Sequence, residues 1–198
     1  MKVKAMFSQN MSSNSYLIED DKRVLIDPGM DYIPETKIDI VINTHAHFDH
    51  TALNARLRQI GCEIWMSKKE AEFYKKSPED STLSTFFNAP VQPFEVNKTL
   101  TDAQTIDLGK TKLEVMLTPG HTMGSICLYD KKTKTLFSGD TVFADGVGRT
   151  DFPGGSMREL KSSLKKLLEI DIKVLYPGHG PPLENNVNQR IKQLLGFF

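Results

Sequence analysis

Ile38-Asp39-Ile40-Val41-Ile42-Asn43-Thr44-His45-Ala46-His47-Phe48-Asp49-His50 is the stretch that decides the fold. Ile38 to Asn43 is an apolar run of buried-strand length, and it delivers the chain directly into three histidines and an aspartate. The histidines therefore sit in a loop at a strand end. Their spacing is too tight for one helix face, but at a strand-to-helix turn it fans imidazoles and a carboxylate around a common point. Neutral imidazole and carboxylate are the ligand types that zinc prefers, and iron and manganese accept them too.

The same arrangement recurs further along. His121 in Thr118-Pro119-Gly120-His121-Thr122, Asp140 in Ser138-Gly139-Asp140-Thr141 and His179 in Pro177-Gly178-His179-Gly180 each follow an apolar strand. In each, a neighbouring glycine lets the backbone turn sharply and come close to a metal. A lone histidine is ordinarily just a satisfied polar residue, but all five histidines of the chain fall in these segments. A structural zinc site prefers four closed ligands, often cysteine; His45, His47, Asp49, His50, His121, Asp140 and His179 instead suit two metals with open positions. Cys62 and Cys127 are too far apart in sequence for a metal knuckle and too few for a disulfide framework, so both are expected as reduced core residues.

Before the histidine loop, Val3 to Phe7, Ser15 to Glu19 and Arg23 to Asp27 read as antiparallel strands, with Asp20-Asp21 as a turn and Pro28-Gly29 as a stop. After it, Leu53, Leu57 and Ile60 fall at helical spacing and Gly61 ends that helix. Glu63 to Ser67 is another strand, followed by a short helix from Lys68 to Lys75. Periodicity then fades from Ser77 to about Gln104, where prolines and small polar residues predict a long excursion, either a lid or an ordinary surface loop.

Strands are expected again at Lys112 to Thr118, Ser125 to Asp130, Thr135 to Ser138 and Val174 to Tyr176. The leucine stripe from Met157 to Leu168 predicts one amphipathic helix, and Val187, Ile191, Leu194 and Leu195 predict another. Two blocks of strands, each followed by helices, predict an α+β architecture of two face-to-face sheets with helices on the outer faces.

A chain of 198 residues fits one domain spanning residues 1–198. Its 25 basic and 25 acidic side chains cancel, which removes the broad positive field that draws proteins to nucleic acid or anionic membranes. Lys131, Lys132 and Lys134 read as a solvated hairpin turn. Met1 to Phe7 lacks a signal-peptide pattern and no stretch approaches a membrane span, so a cytoplasmic location is expected. No motif sets an oligomeric state.

These motifs, running from Asp27 to His179, resemble the metallo-β-lactamase superfamily, whose fold is an αββα four-layer sandwich with metals at one edge. The resemblance implies His45, His47 and His121 on a first metal, Asp49, His50 and His179 on a second, and Asp140 between them. Zinc is the expected pair of ions, with iron or manganese as alternatives. Lactam-cleaving branches carry Cys or Ser where this chain has Asp140, and flavodiiron proteins carry Glu where it has His47. RNA-processing relatives share the ligand types but use a basic substrate surface.

The stretch Gly146-Val147-Gly148-Arg149-Thr150-Asp151-Phe152-Pro153-Gly154-Gly155-Ser156 resembles the compact glyoxalase II-like hydrolases, which cleave thioesters such as S-lactoylglutathione. A similar stretch occurs in persulfide dioxygenases, which use one iron on three of the same ligands. Pro153 after Phe152 leans to the hydrolases, since those oxygenases usually carry a polar residue there. About twenty residues follow His179, too few for the glutathione-binding helical domain of the usual glyoxalase II, which implies a smaller or looser thiol specificity.

The expected chemistry is thioester hydrolysis of a small-molecule substrate. Two metals share a water, lower its pKa and present hydroxide to a polarised carbonyl, with Asp49 and Asp140 as the catalytic carboxylates and Asp140 orienting the hydroxide. Arg149 is expected either to bind a substrate carboxylate or to brace its loop on Asp151. Asp27, at a strand end, is expected either to fix an imidazole from behind or to act as a turn cap.

Overall fold

A computed structural model describes residues 1–8, 11–31 and 33–197. The first half of the chain builds a six-stranded mixed sheet. Its strands are β1 (Val3–Met6), β2 (Ser15–Glu19), β3 (Arg23–Ile26), β4 (Ile40–Ile42), β5 (Glu63–Ser67) and β6 (Lys98–Leu100), in that spatial order. β1 to β3 run antiparallel, and β3 to β6 are mutually parallel. The second sheet also has six strands, in the order β12-β11-β10-β9-β8-β7. These are β7 (Thr105–Asp107), β8 (Lys112–Leu117), β9 (Ile126–Asp130), β10 (Thr135–Gly139), β11 (Val174–Pro177) and β12 (Leu183–Glu184). Only the β10/β11 pair is parallel there.

The period-two alternation of each strand decides which face meets which partner. Tyr16, Ile18, Val24, Ile26, Ile40 and Ile42 of the first sheet pack on Val115, Ile126, Leu128 and Phe137 of the second, forming the central core. The intervening residues face outward under helices. Leu17, Leu25, Val41 and Ile64 lie with Leu57 of helix α2 (Asn54–Gln59), and Met66 lies with Tyr74 of α3 (Lys68–Lys76). On the opposite side Met116, Cys127, Tyr129 and Leu175 meet Leu164 and Leu167 of α5 (Met157–Leu167) and Ile191 and Leu194 of α6 (Val187–Leu195). The result is the expected helix-sheet-sheet-helix sandwich. Cys62 and Cys127 are buried and free, and Lys131 and Lys132 lie in the β9–β10 turn, as read from sequence.

The excursion is more ordered than its composition suggested. Residues 77–104 contain helix α4 (Pro78–Thr82) with proline in its first turn, and the edge strand β6. Leu83 then closes α4 in the left-handed region, at φ 54°, a conformation that glycine or asparagine would ordinarily signal. No helix among the described residues is long and apolar enough to cross a membrane.

Candidate metal centre

Four strands converge on one edge of the sandwich. β4 leads into Thr44-His45-Ala46-His47 and the single-turn helix α1 (Phe48–Thr51), which carries Asp49 and His50. β8 ends before His121, β10 before Asp140 and β11 before His179. β8, β10 and β11 point the same way, because β9 alternates with them, so their C-terminal ends meet the β4 loop at a single rim.

The seven residues expected as ligands come together in overlapping groups: His45, His47 and His121; His45, His50 and Asp140; Asp49, His50 and His179. Within each group the ligating atoms lie within 4.8 Å of one another. Asp140 touches both ends of the constellation, with Oδ1 3.2 Å from His50 Nε2 and Oδ2 3.5 Å from His121 Nε2 and 3.6 Å from His179 Nε2. Asp49 Oδ2 lies 3.0 Å from His179 Nε2.

The imidazoles are turned by groups behind them. His121 Nδ1 donates to the Arg149 carbonyl at 2.7 Å, which leaves its Nε2 bare and 2.9 Å from His47 Nδ1. Asp27 accepts from the Thr44 amide at 2.8 Å and from the Thr44 hydroxyl at 2.7 Å. That hydroxyl is thereby left to accept from His45 Nδ1, 3.1 Å away. The other contact of Asp27 Oδ2 is His50 Nδ1 at 2.9 Å, close but poorly aligned for a hydrogen bond. One buried carboxylate thus stands behind two histidines, and it does so from a left-handed backbone at φ 47° that an aspartate tolerates better than most residues. The sequence left Asp27 as either such an imidazole support or a turn cap.

Burial, reinforced by the neighbouring imidazoles, drives His45 and His47 well below the usual histidine range, and burial also lowers His121. All three are thereby neutral, the form that binds metal. Burial works the same way on His50, but Asp140, Asp27 and Asp49 outweigh it and hold that ring well above its ordinary value. Burial alone would raise the Asp140 carboxyl; His50, His121 and His179 overcome this and hold it far below the carboxylate range.

The buried atoms His45 Nε2, His47 Nε2, His50 Nε2 and Asp140 Oδ1 have no hydrogen-bond partner. Each such atom costs about 1–3 kcal/mol. Convergent lone pairs on nitrogen and oxygen are what a divalent cation satisfies, so the donor set fits zinc, iron or manganese.

Two supports were not foreseen. Glu70, fully buried on α3, accepts from the Ala46 amide at 3.0 Å, the Thr122 hydroxyl at 2.8 Å and the Gly124 amide at 2.9 Å. It ties the His45–His47 loop to the His121 loop across the two sheets, and burial pushes its carboxyl up to about 7 despite those bonds. The sequence signal was Ser67-x-x-Glu70, which reads as a capping box. Ser67 does cap α3, but the glutamate turns away to the loops. Asn14, just before β2, donates to the Pro177 and Gly180 carbonyls at 3.1 and 2.8 Å, and Ser13 N–H donates to the Asp49 carbonyl. Together these clamp the His179 loop to Asp49.

Arg149 lies at the rim. Its Nε and a terminal nitrogen donate to the two Asp151 oxygens at 2.9 and 2.7 Å, and its guanidinium lies 4.1 Å from the Phe152 ring centre. The geometry is that of the loop brace, and carboxylate binding at the same edge of the guanidinium would require exchange of Asp151. Above this rim is a cleft of about 230 Å³, walled by Leu83, Phe86, Phe87, Phe143, Val147 and Phe152. The excursion supplies the first three, so Leu83, Phe86 and Phe87 form one wall of the cleft.

Residues 9–179 match the family model described as the metallo-beta-lactamase superfamily, and the chain belongs to that superfamily. A probable metallo-hydrolase of Methanocaldococcus jannaschii is 38% identical over 85% of this chain and 88% of its own length. The hydroxyacylglutathione hydrolase GloC of Haemophilus influenzae is 33% identical over 88% of this chain and 86% of its own. Among solved structures, the BLEG-1 B3 metallo-beta-lactamase superposes with a TM-score of 0.84 at 26% identity, covering 99% of both chains. TTHA1623, crystallised in a di-iron-bound form, superposes at 0.81 with 28% identity, covering 98% of this chain and all of its own. The superfamily is one of metal-dependent hydrolases, consistent with the His/Asp clusters at the rim.

Proposed function

We propose that this chain is a two-metal hydrolase that cleaves thioesters of the hydroxyacylglutathione type. The observation that carries the reading is the convergence of buried, unpartnered imidazole and carboxylate atoms at one strand-end rim. His45, His47 and His121 would hold one ion, Asp49, His50 and His179 the other, and Asp140 would reach both. Zinc in a cytoplasmic enzyme is the expected setting, and the name of the Haemophilus relative supports the thioester class.

Two divalent ions held there would lower the pKa of a shared water towards neutrality and polarise the scissile carbonyl. Asp140, kept ionised by the surrounding imidazoles, would help hold the ions and orient a water supplied there, and Asp49, 3.0 Å from His179, would help hold the second ion. The Asp27–Thr44–His45 relay and the Arg149 carbonyl keep the ring nitrogens aimed at the rim. A departing thiolate, whose acid has a pKa of about 8.5, needs no protein acid.

The test is to purify the protein, measure its metals, and offer S-lactoylglutathione and glutathione persulfide separately. Two ions per chain with thiol release from the first is the expected result. A single iron with oxygen uptake on the second would replace the hydrolase by an iron-dependent persulfide dioxygenase.

A further inference from the structure

The rim chemistry is polar, but the cleft above it is not. Phe86 is 59% exposed, and its ring sits 5.3 Å from Phe87 and 5.4 Å from Phe152. Phe152 in turn packs edge-on against His47 at 5.9 Å, and Phe143 against His179 at 6.1 Å. Aromatic contacts therefore run from solvent at Phe86 down to His47, and Phe143 adds a second aromatic wall of the same cleft beside His179. An exposed apolar surface in a concave site over a few convergent polar groups is how ligand sites are commonly built, and it suits a ligand with an apolar part next to its reacting centre.

Charge points the same way. Apart from the histidines, the one cation among the described residues lining this cleft is Arg149. Its fork is bonded to both Asp151 oxygens, and it holds that carboxyl down at about 2. A glutathione moiety carries two carboxylates and an ammonium, and the walls offer those two carboxylates a single guanidinium that is already paired with Asp151. At about 230 Å³ the cleft is also below the roughly 300–1,000 Å³ of sites that enclose a whole drug-sized ligand. It has room for one side of the substrate.

Resting on the thioester-hydrolysis part of that reading and departing from it on the acyl group and the thiol, we infer that the group attached to the scissile carbonyl is an uncharged apolar chain, seated on Phe86, Phe87, Phe143 and Phe152, and that the site selects this acyl group and not the thiol. The reaction is the same hydrolysis: water adds to the carbonyl, the C–S bond breaks, and carboxylate and thiol are released.

The experiment uses the metal-loaded full chain and straight-chain acyl thioesters of N-acetylcysteamine from acetyl to octanoyl. kcat/KM should rise roughly threefold to fourfold per methylene over the first several members, as expected when each buried CH₂ leaves water. Moving one acyl group from N-acetylcysteamine to glutathione should change kcat/KM by less than tenfold. Phe86→Ser should cut the octanoyl-to-acetyl ratio at least fivefold, and Phe86→Leu should restore part of it. As a readout independent of turnover, octanoate should raise Tm where acetate does not, and Phe86→Ser should abolish that difference.

Cleavage with no dependence on chain length, or a glutathione advantage of tenfold or more, would overturn the inference and leave the thioesterase reading standing. No cleavage of any thioester, with the octanoate shift intact, would sink the thioesterase reading and keep the apolar acyl site. Loss of both would remove both.

Discussion

Glu70 gives the sharpest mutational test of how the centre is held. Replacing it by alanine strips the acceptors from the Ala46 and Gly124 amides, whereas the Thr122 hydroxyl has Ser125 Oγ 2.8 Å away as a substitute. Two buried donors are then orphaned at about 1–3 kcal/mol each, so Glu70→Ala should lose about 2–6 kcal/mol. Glu70→Gln keeps the shape, but its amide nitrogen must face one of the two backbone N–H groups, which predicts a loss of about 1–3 kcal/mol. Urea denaturation of metal-free protein followed by circular dichroism reads both values.

The pH dependence of the same pair has a definite sign. The folded carboxyl is pushed up to about 7 from an ordinary value of 4.5. Its stabilising contribution is therefore fully present below the unfolded value and is lost as pH rises through 7. The advantage of wild type over Glu70→Gln should widen by about 1 kcal/mol from pH 8 to pH 6. Metal affinity, measured by competition with a chromophoric chelator, should fall about 10–100-fold in the glutamine variant, because two ligand loops lose their common anchor. A stability change under about 0.5 kcal/mol together with unchanged metal affinity would refute the claim that Glu70 ties the two loops.

Asp27→Ala removes the acceptor behind Thr44 and the charge beside His50, so metal retention after dialysis should fall about 10–100-fold; unchanged metal content and rate would remove Asp27 from this role. Gly178→Ala should empty the centre while circular dichroism still reports the fold. A Cβ there would lie 2.1 Å from Asp140 Oδ1 and 2.8 Å from His50 Cε1, and full metal occupancy in this variant would contradict the crowding argument. Chelation should lower Tm, and free metal at about 100 times its Kd should return about 2.7 kcal/mol, or about 5–10 °C for a chain of this size. A Tm indifferent to chelator would mean that the buried lone pairs are satisfied in some other way.

What the sequence disclosed and what it hid divide along physical lines. The central strands were legible because burial on both faces makes them continuous apolar runs, as in Ile40–Ile42 and Ile126–Tyr129. β6, β7 and β12 were missed, and all three are edge strands. Each pairs on one side only, and β6 and β7 bury a single residue apiece, Leu100 and Ile106, so no alternation shows in Lys-Thr-Leu or Thr-Ile-Asp. Helix α4 was hidden for a related reason: it buries Ser81 and Thr82, and its left-handed terminator is a leucine.

The centre follows the same logic one level up. Candidate metal ligands require particular chemistry, so His45 announces itself by residue type, and His121, Asp140 and His179 also by the glycines beside them. The groups that hold and cover those atoms need only to accept a proton or to be apolar, and glutamates and phenylalanines do both throughout any protein. Glu70 was disguised by a capping signal that is half true, and Phe86 and Phe87 lay in a segment without periodicity. The legible part of the site is accordingly the part whose chemistry restricts the residue type, whereas the aromatic wall inferred to seat the acyl group appears only when the chain is folded. That is why the reaction can be argued from Asp140 and its neighbours, and why the acyl group has to be argued from the aromatic wall, where the chain-length series and Phe86→Ser test it directly.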